Sequence, residues 1–84
     1  MPNPIVVIAP SLDSLTKRIA VPLDELSKSR FILREKGSGT RMTVDRFFSQ
    51  RKFRPDVRLE LGSNEALKES VAGGLGLGVV SRHA

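Results

Sequence analysis

Apolar residues along the chain form short blocks whose spacing changes between that of strands and that of helices. Residues 5–9 are a continuous, largely β-branched apolar run, which is typical of a strand buried on both faces. Residues 57–61 alternate between apolar and charged positions, which predicts a strand with one apolar face and with Arg58 and Glu60 on the other. Two further strands are predicted at residues 30–34 and 75–80.

Two segments have the spacing of amphipathic helices. In residues 40–52, Val44 and the phenylalanines three and four positions later form one apolar stripe. In residues 65–72, Leu67 and Val71 lie one turn apart and form a shorter stripe. Both stripes are expected to pack against the sheet.

The remaining segments are shorter or less regular. Residues 11–20 are polar and are expected to form a loop. An early proline and two acidic residues predict one helical turn over residues 22–26, and Val21 is among the apolar residues expected to pack this turn against the domain. A glycine pair at residues 73–74 is expected to end the second helix. Strands therefore alternate with helical elements, which predicts an α/β fold with a mostly parallel sheet flanked by helices.

Length and composition limit the functions that the chain could have. It has 84 residues, enough for one small domain. It contains no cysteine and its one histidine is His83, so a disulfide framework, a thiolate nucleophile, a metal site, a histidine base and a cofactor are not expected. No apolar run approaches the length of a membrane span and no signal-peptide pattern is visible, so a cytoplasmic location without a membrane partner is expected.

The chain is basic, with 14 lysine and arginine residues against 9 aspartate and glutamate residues. The basic residues are dispersed from Lys17 to Arg82, and the aromatic residues are four phenylalanines, so a stacking platform for nucleic-acid bases is poorly supplied. No helix-turn-helix pattern is visible. The excess charge therefore favours a small acidic ligand, or plain solvated charge, over direct contact with DNA.

The segment Gly-Ser-Gly-Thr-Arg that ends at Arg41 is the strongest candidate site. It follows a predicted strand and opens a predicted helix, and a helix N-terminus offers about half a positive charge and several unpaired N–H donors to a carboxylate, phosphate or sulfate. Arg34, Lys36 and Arg41 add positive charge around it. In the alternative interpretation, Ser38 or Thr40 only caps the helix. For Arg34 and Arg41, a solvated position on the surface is the stronger interpretation.

Asn64 and Glu65 begin the second predicted helix, directly after a predicted strand. In doubly wound sheets, ligands gather beyond the carboxyl ends of the strands, so these residues are expected at the same edge as the first loop. For Asn64 a simple capping role is the stronger interpretation, with Ser63 as the other candidate for the cap.

The residue pattern does not support catalysis. The glycine-rich segment at residues 73–78 follows a helix and precedes a strand, which is the wrong order for a dinucleotide-binding fingerprint. Asp24, Asp45 and Glu60 have no nucleophile, metal site or usable histidine to work with, so they are interpreted as solvated charges. An enzyme is therefore not expected.

Four blocks of sequence together carry a family resemblance that covers nearly the whole chain. The blocks are Val-Pro-Leu-Asp-Glu-Leu at residues 21–26, Phe-Ile-Leu-Arg-Glu and Gly-Ser-Gly-Thr-Arg within residues 31–41, Leu-Gly-Ser-Asn-Glu-Ala-Leu-Lys at residues 61–68, and Val-Ala-Gly-Gly-Leu-Gly-Leu-Gly-Val-Val-Ser at residues 71–81. In this order and spacing, the chain resembles the effector-binding domain of LysR-type transcriptional regulators. It looks like the branch that regulates carbon fixation in autotrophic bacteria.

The resemblance implies an architecture. The family's effector domain has two lobes, like a type 2 periplasmic binding protein, and residues 1–84 resemble the second lobe alone. Residues 5–9 and 77–82 would then be the strands that connect the two lobes. The first lobe and the DNA-binding helix-turn-helix domain would lie outside this chain, so contact with DNA would belong to that other domain. A homodimer or homotetramer is implied for the parent protein.

The resemblance also implies a ligand-sensing function. A small anionic metabolite, of the phosphorylated sugar or carboxylate class, would bind between the lobes and control transcription. The expected effector-binding residues are Ser38, Gly39, Thr40, Arg41, Asn64 and Glu65, with Arg34 and Lys36 as candidate charge partners. Two alternatives stay open: a lobe of a solute-binding transport protein, and a phosphate-binding fragment of an α/β enzyme.

Overall fold

The computed structural model describes residues 5–20 and 22–81, which form a five-stranded sheet with a helix on each face. Val21, Arg82 and His83 lie outside the described residues. In chain order the elements are β1 (Ile5–Pro10), β2 (Thr16–Ile19), a single 3₁₀ turn (Leu23–Leu26), β3 (Arg30–Arg34), α1 (Gly39–Gln50), β4 (Asp56–Leu61), α2 (Asn64–Ala72) and β5 (Leu77–Ser81).

The sheet is mixed, with the strand order β2-β1-β5-β3-β4. β3 pairs in parallel with both β4 and β5, whereas β1 runs antiparallel to both β2 and β5. The predicted α/β class with flanking helices is confirmed. The expectation of a mostly parallel sheet is wrong, because only the β5-β3-β4 half is connected by helical crossovers.

The strand β2 lies within residues 11–20, which the sequence predicted to be a loop. Its four residues pair with β1 in a hairpin register that runs from Val7 opposite Ile19 to Pro10 opposite Thr16. Ile19 packs against the apolar cluster beneath α1. Pairing with β1 thus overrides a local sequence that is mostly polar, as tertiary context often does for short strands.

Each helix buries the stripe that its spacing predicted. On α1, the side chains of Val44, Phe47 and Phe48 are at most 6% exposed. They pack with Phe31 and Leu33 of β3. On the opposite face of the sheet, Leu67 and Val71 of α2 are fully buried and pack with Ile32. Consecutive residues of β3 therefore supply two separate cores, as expected for a strand covered on both faces.

A β-bulge divides the apolar residues of β4 between the two faces. Phe31 pairs with Val57, but the next residue of β3 pairs with Leu59, so the register skips Arg58. Val57 then packs on the α1 side, and Leu59 packs on the α2 side. The predicted single apolar face is wrong, because one extra residue reverses the alternation of side chains that follow it. Glu60 is thereby turned towards α1.

Close packing and helix termination explain the glycines near the end of the chain. A Cβ atom on Gly78 would lie 2.6 Å from a methyl carbon of Leu67 and 2.8 Å from one of Val71, so α2 can approach the sheet closely only over a glycine. Gly73 is the C-cap of α2 and Gly74 has a φ of +83°, which confirms that this pair ends the helix. No helix in the described part of the chain has the length and hydropathy needed to cross a lipid bilayer.

Candidate functional site

Ser38 caps the N-terminus of α1. Its side-chain oxygen accepts a hydrogen bond of 2.9 Å from the backbone N–H of Arg41, and its carbonyl accepts one of 3.0 Å from Met42. Gly37, with a φ of +100°, makes the turn that precedes the cap. Of the two candidates for this cap, Ser38 therefore takes the role and Thr40 does not.

The first turn of α1 keeps several donors unused. Among the described residues, the backbone N–H groups of Gly39 and Thr40 have no acceptor, and the Thr40 hydroxyl has no partner. Lys36 is exposed nearby and takes part in no ion pair with the described residues. These groups lie where the helix dipole is positive, so the turn has the chemistry of an anion site.

Arg41 is buried beneath this turn, which overturns the expectation that it is solvated. Its side chain is 8% exposed. Its Nε donates to Asp45 at 2.8 Å, and its Nη1 donates both to the Arg34 carbonyl at 2.9 Å and to Glu60 at 2.5 Å. Asp45 and Glu60 are correspondingly ion-paired rather than merely solvated. Arg41 therefore connects α1, β3 and β4, and two carboxylates balance its charge.

The environment of Arg41 favours its charged form. Burial alone would lower the pKa of Arg41, but hydrogen bonds and charge attraction from Asp45 and Glu60 outweigh it, so the pKa of Arg41 is raised above its ordinary value. The guanidinium therefore remains charged throughout the physiological pH range.

Arg34 connects the end of β3 to the start of α2. Its Nη1 donates to the side-chain oxygen of Asn64 at 3.0 Å, and its Nη2 donates to the Gly62 carbonyl at 3.3 Å. The same guanidinium pairs with Glu35 at 3.0 Å. Like Arg41, Arg34 is committed to contacts within the domain, so the expectation of a solvated arginine is wrong here too.

The start of α2 differs in detail from the prediction. Ser63 is the N-cap, and its side-chain oxygen accepts from the Ala66 N–H at 3.1 Å. Asn64 is the first residue of the helix, and its amide oxygen accepts from Arg34 instead of capping. Glu65 is exposed in the first turn and makes no hydrogen bond or ion pair with the described residues.

The two arginines join most of the predicted site residues into one network. Arg41 holds the α1 turn to the backbone of Arg34, and the side chain of Arg34 holds Asn64. Lys36 and Glu65 stand outside this network. Sequence reasoning missed the roles of Asp45 and Glu60; the spacing of Arg41 and Asp45 by four residues was a usable signal. No signal in the sequence pointed to the role of Glu60, because the orientation of its side chain depends on the bulge in β4.

The described residues contain no group of three or more His, Asp or Glu side chains that could hold a metal ion. Carboxylates balance both arginines at this edge of the sheet, and the N–H donors of the α1 turn and Lys36 stay unpaired among the described residues. This edge is suited to binding an anion.

Comparison with known proteins identifies the family. The family model for the LysR substrate-binding domain matches residues 1–84. The chain belongs to this family. The resemblance read from the four sequence blocks is thereby confirmed.

Curated relatives of this LysR domain are transcriptional regulators. The chain is 44% identical over 82 residues to the HTH-type transcriptional activator CmpR of Synechocystis sp. PCC 6803, covering 98% of this chain and 27% of that protein. It is 46% identical over 83 residues to the RuBisCO operon transcriptional regulator of Allochromatium vinosum, covering 99% of this chain and 28% of that protein. The chain thus spans little more than a quarter of their length. These relatives confirm the predicted carbon-fixation branch, and both are named as regulators, not as enzymes.

Two solved structures have the same fold. The regulatory domain of CcmR from Synechocystis PCC 6803, in complex with 2-PG, matches with a TM-score of 0.77 at 48% identity, covering 96% of this chain and 39% of that one. The effector-binding domain of QuiR, in complex with shikimate, also matches with a TM-score of 0.77, at 19% identity, covering 95% and 38%. The second likeness supports the fold alone. Both are effector domains of which this chain covers less than half.

Proposed function

We propose that residues 1–84 form the second lobe of the effector-binding domain of a LysR-type transcriptional regulator and sense a small anionic metabolite. The observation that carries this proposal is the first turn of α1, whose free N–H donors lie at the carboxyl edge of β3 and β4 in a chain of this family. The CcmR domain, 48% identical, is bound to 2-PG. We therefore choose 2-phosphoglycolate, a phosphorylated carboxylate, as the test ligand.

The residues of the site take two kinds of role in this proposal. The N–H groups of Gly39 and Thr40, with the hydroxyls of Ser38 and Thr40, donate to the anion. Arg41 and Arg34 position the turn and the start of α2, because their hydrogen bonds are directed inward. The free amide N–H₂ of Asn64 can face a ligand across the same edge. Glu65 and Lys36, which are exposed and outside the arginine network, face the ligand from the rim of the site and adjust the local charge.

The proposed mechanism is allosteric. The metabolite bridges this lobe and a first lobe outside the chain, which favours a closed arrangement of the two. A ligand shifts such an equilibrium only through its unequal affinity for the open and closed states. Closure would then alter how a dimer or tetramer of the parent regulator, in the cytoplasm, holds DNA through its helix-turn-helix domains. The curated relatives, all named as regulators, favour this function over a transport protein or an enzyme.

The test is an NMR titration of the chain with 2-phosphoglycolate. We expect amide shifts at residues 38–41 and 64–65, with a dissociation constant near 1 mM, about −4 kcal/mol, because half of the cleft is missing. Thr40→Ala should weaken binding. Thr43→Ala is the matched control. Thr43 lies one turn further along α1, and its hydroxyl already donates to the Gly39 carbonyl, so it is not free for the ligand.

Two outcomes contradict the proposal. Absence of localised shifts at high millimolar ligand would mean that the α1 turn is only a helix cap. Micromolar affinity of the 84-residue chain would show that the site is complete within it and is not shared with another lobe.

A further inference from the structure

A groove runs between β2 and α2 on the face of the sheet opposite to α1. Its volume is about 220 Å³. Apolar residues of β1 and β5 form the floor. Thr16, Lys17 and Arg18 line it from β2, and Asn64 and Lys68 line it from α2. Apart from Asn64, none of these residues belongs to the network of Arg34 and Arg41.

The lining of this groove carries unbalanced positive charge. Arg18 and Lys68 are its cationic side chains, and no carboxylate lines it; Lys17 also borders the groove, but it alternates with Arg18 along β2, so its side chain lies on the other face of the sheet. In the part of the chain that the structure describes, none of the three takes part in an ion pair, and neither Glu65 nor another acid of α2 pairs with Lys68. Arg34 and Arg41, by contrast, are balanced by carboxylates. The groove therefore brings two unpaired cationic side chains, from two different elements, to one concave site.

The shape of the groove selects a small ligand. Its volume of about 220 Å³ is below the roughly 300–1,000 Å³ of pockets for drug-sized molecules. Arg18 and Lys68 supply charged donors from two different elements, and Thr16 and Asn64 supply a hydroxyl and an amide. This donor set matches an anion with two negative charges and several acceptor oxygens.

We propose that the groove binds a small dianion, with Arg18 and Lys68 as its charge partners, at a second site that is separate from the turn at Ser38–Arg41. This inference does not rest on the proposed function. β2 is an edge strand whose single neighbour in the sheet is β1. A dianion held by both β2 and α2 would fasten that edge strand to the helix.

The test titrates the chain with inorganic phosphate while sodium chloride keeps the ionic strength constant, and a second arm uses malonate. We expect saturable amide shifts at residues 16–18 and 64–68, together with slower hydrogen exchange of the β2 amides. Binding of both anions identifies dianions in general, and binding of phosphate alone narrows the chemistry to phosphoryl groups. The double substitution R18Q/K68Q should weaken binding about tenfold or more, because it removes two charged hydrogen-bond donors.

Matched variants separate this site from general charge effects and from the α1 turn. K28Q/R46Q removes the same two charges from exposed positions that do not line the groove, and it should leave the affinity unchanged. Thr40→Ala should also leave the shifts in the groove unchanged, whatever it does at the α1 turn. The proposal is overturned if neither anion gives saturable shifts at the groove, or if R18Q/K68Q and K28Q/R46Q weaken binding equally.

Discussion

Two arginines beside the candidate site organise the domain instead of presenting free charge. Arg41 reaches β3 and β4 from α1, and Arg34 reaches the start of α2 from β3. Guanidinium groups suit such positions because their donors are fixed in a planar fork and they keep their charge when buried. In the proposed function, binding of an anion at the α1 turn therefore depends on backbone donors, and the arginines set where those donors lie.

Replacing Arg41 by methionine tests its structural role. The substitution leaves Asp45 and Glu60 without their partner and removes the hydrogen bond to the Arg34 carbonyl. We expect the free energy of unfolding, measured in urea, to fall by about 2 kcal/mol, a moderate value because both carboxylates are about half exposed. Arg46→Met, at an exposed position of the same helix, should change it by less than about 0.5 kcal/mol. Equal losses in the two variants would show that the contacts of Arg41 do not stabilise the fold.

The pH dependence of this effect has a definite sign. The pKa of Arg41 is raised in the folded protein: burial opposes its charge, and Asp45 and Glu60 more than compensate. A group of this kind stabilises the fold fully below its unfolded-state pKa and stops doing so as the pH rises through its folded-state pKa. Both values are strongly alkaline, so the stability difference between wild type and R41M should be constant between about pH 6 and 9. A decline across that range would contradict the assignment.

At the scale of the elements, the contact between α2 and the sheet depends on a glycine. Gly78→Ala places a methyl group 2.6 Å from Leu67 and 2.8 Å from Val71, both of them fully buried. Since a packed core resists added volume, we expect a loss of about 1–3 kcal/mol in the free energy of unfolding. Gly39→Ala is the control, because its new Cβ has no neighbour within 4 Å. Thermal unfolding followed by circular dichroism measures both, and an unchanged midpoint for Gly78→Ala would contradict the packing.

The sequence predicts an element well when the element depends on a local pattern, and poorly when it depends on pairing with a distant segment. The stripes of Val44 on α1 and of Leu67 on α2 are local patterns, and both helices begin within one residue of the predicted position. The strand β2 could not be predicted, because its polar residues become a strand only through pairing with β1. The two ion pairs of Arg41 differ in the same way: that with Asp45 is local, whereas that with Glu60 requires the bulge at Arg58.

At the scale of the whole molecule, the α1 turn lies at the carboxyl edge of the sheet and the groove lies on the α2 face, with Asn64 between them. The α1 turn offers N–H donors, while its nearby arginines are balanced by carboxylates. The groove beside α2 offers unpaired cations. The two sites therefore differ in unpaired cationic side chains: Arg18 and Lys68 line the groove, whereas Lys36 stands beside the turn. An anion that needs contact with two cationic side chains should prefer the groove to the turn.

Ligand-dependent stability gives a whole-molecule test of a shared cleft. A ligand that binds only the folded state stabilises it by RT ln(1 + [L]/Kd), which is about 0.4 kcal/mol when its concentration equals Kd. On the proposal that this chain forms one side of a cleft shared with a first lobe, we expect 1 mM 2-phosphoglycolate to raise the midpoint of thermal unfolding of this chain by no more than a few degrees. Because 2-phosphoglycolate is itself a small dianion, Thr40→Ala should remove the part of that increase that comes from the α1 turn, and R18Q/K68Q should remove the part that comes from the groove. In a protein that also carries the first lobe, the same ligand should give a clearly larger increase, since closure adds contacts from the other side. Equal increases in the two proteins would mean that the first lobe contributes nothing to binding.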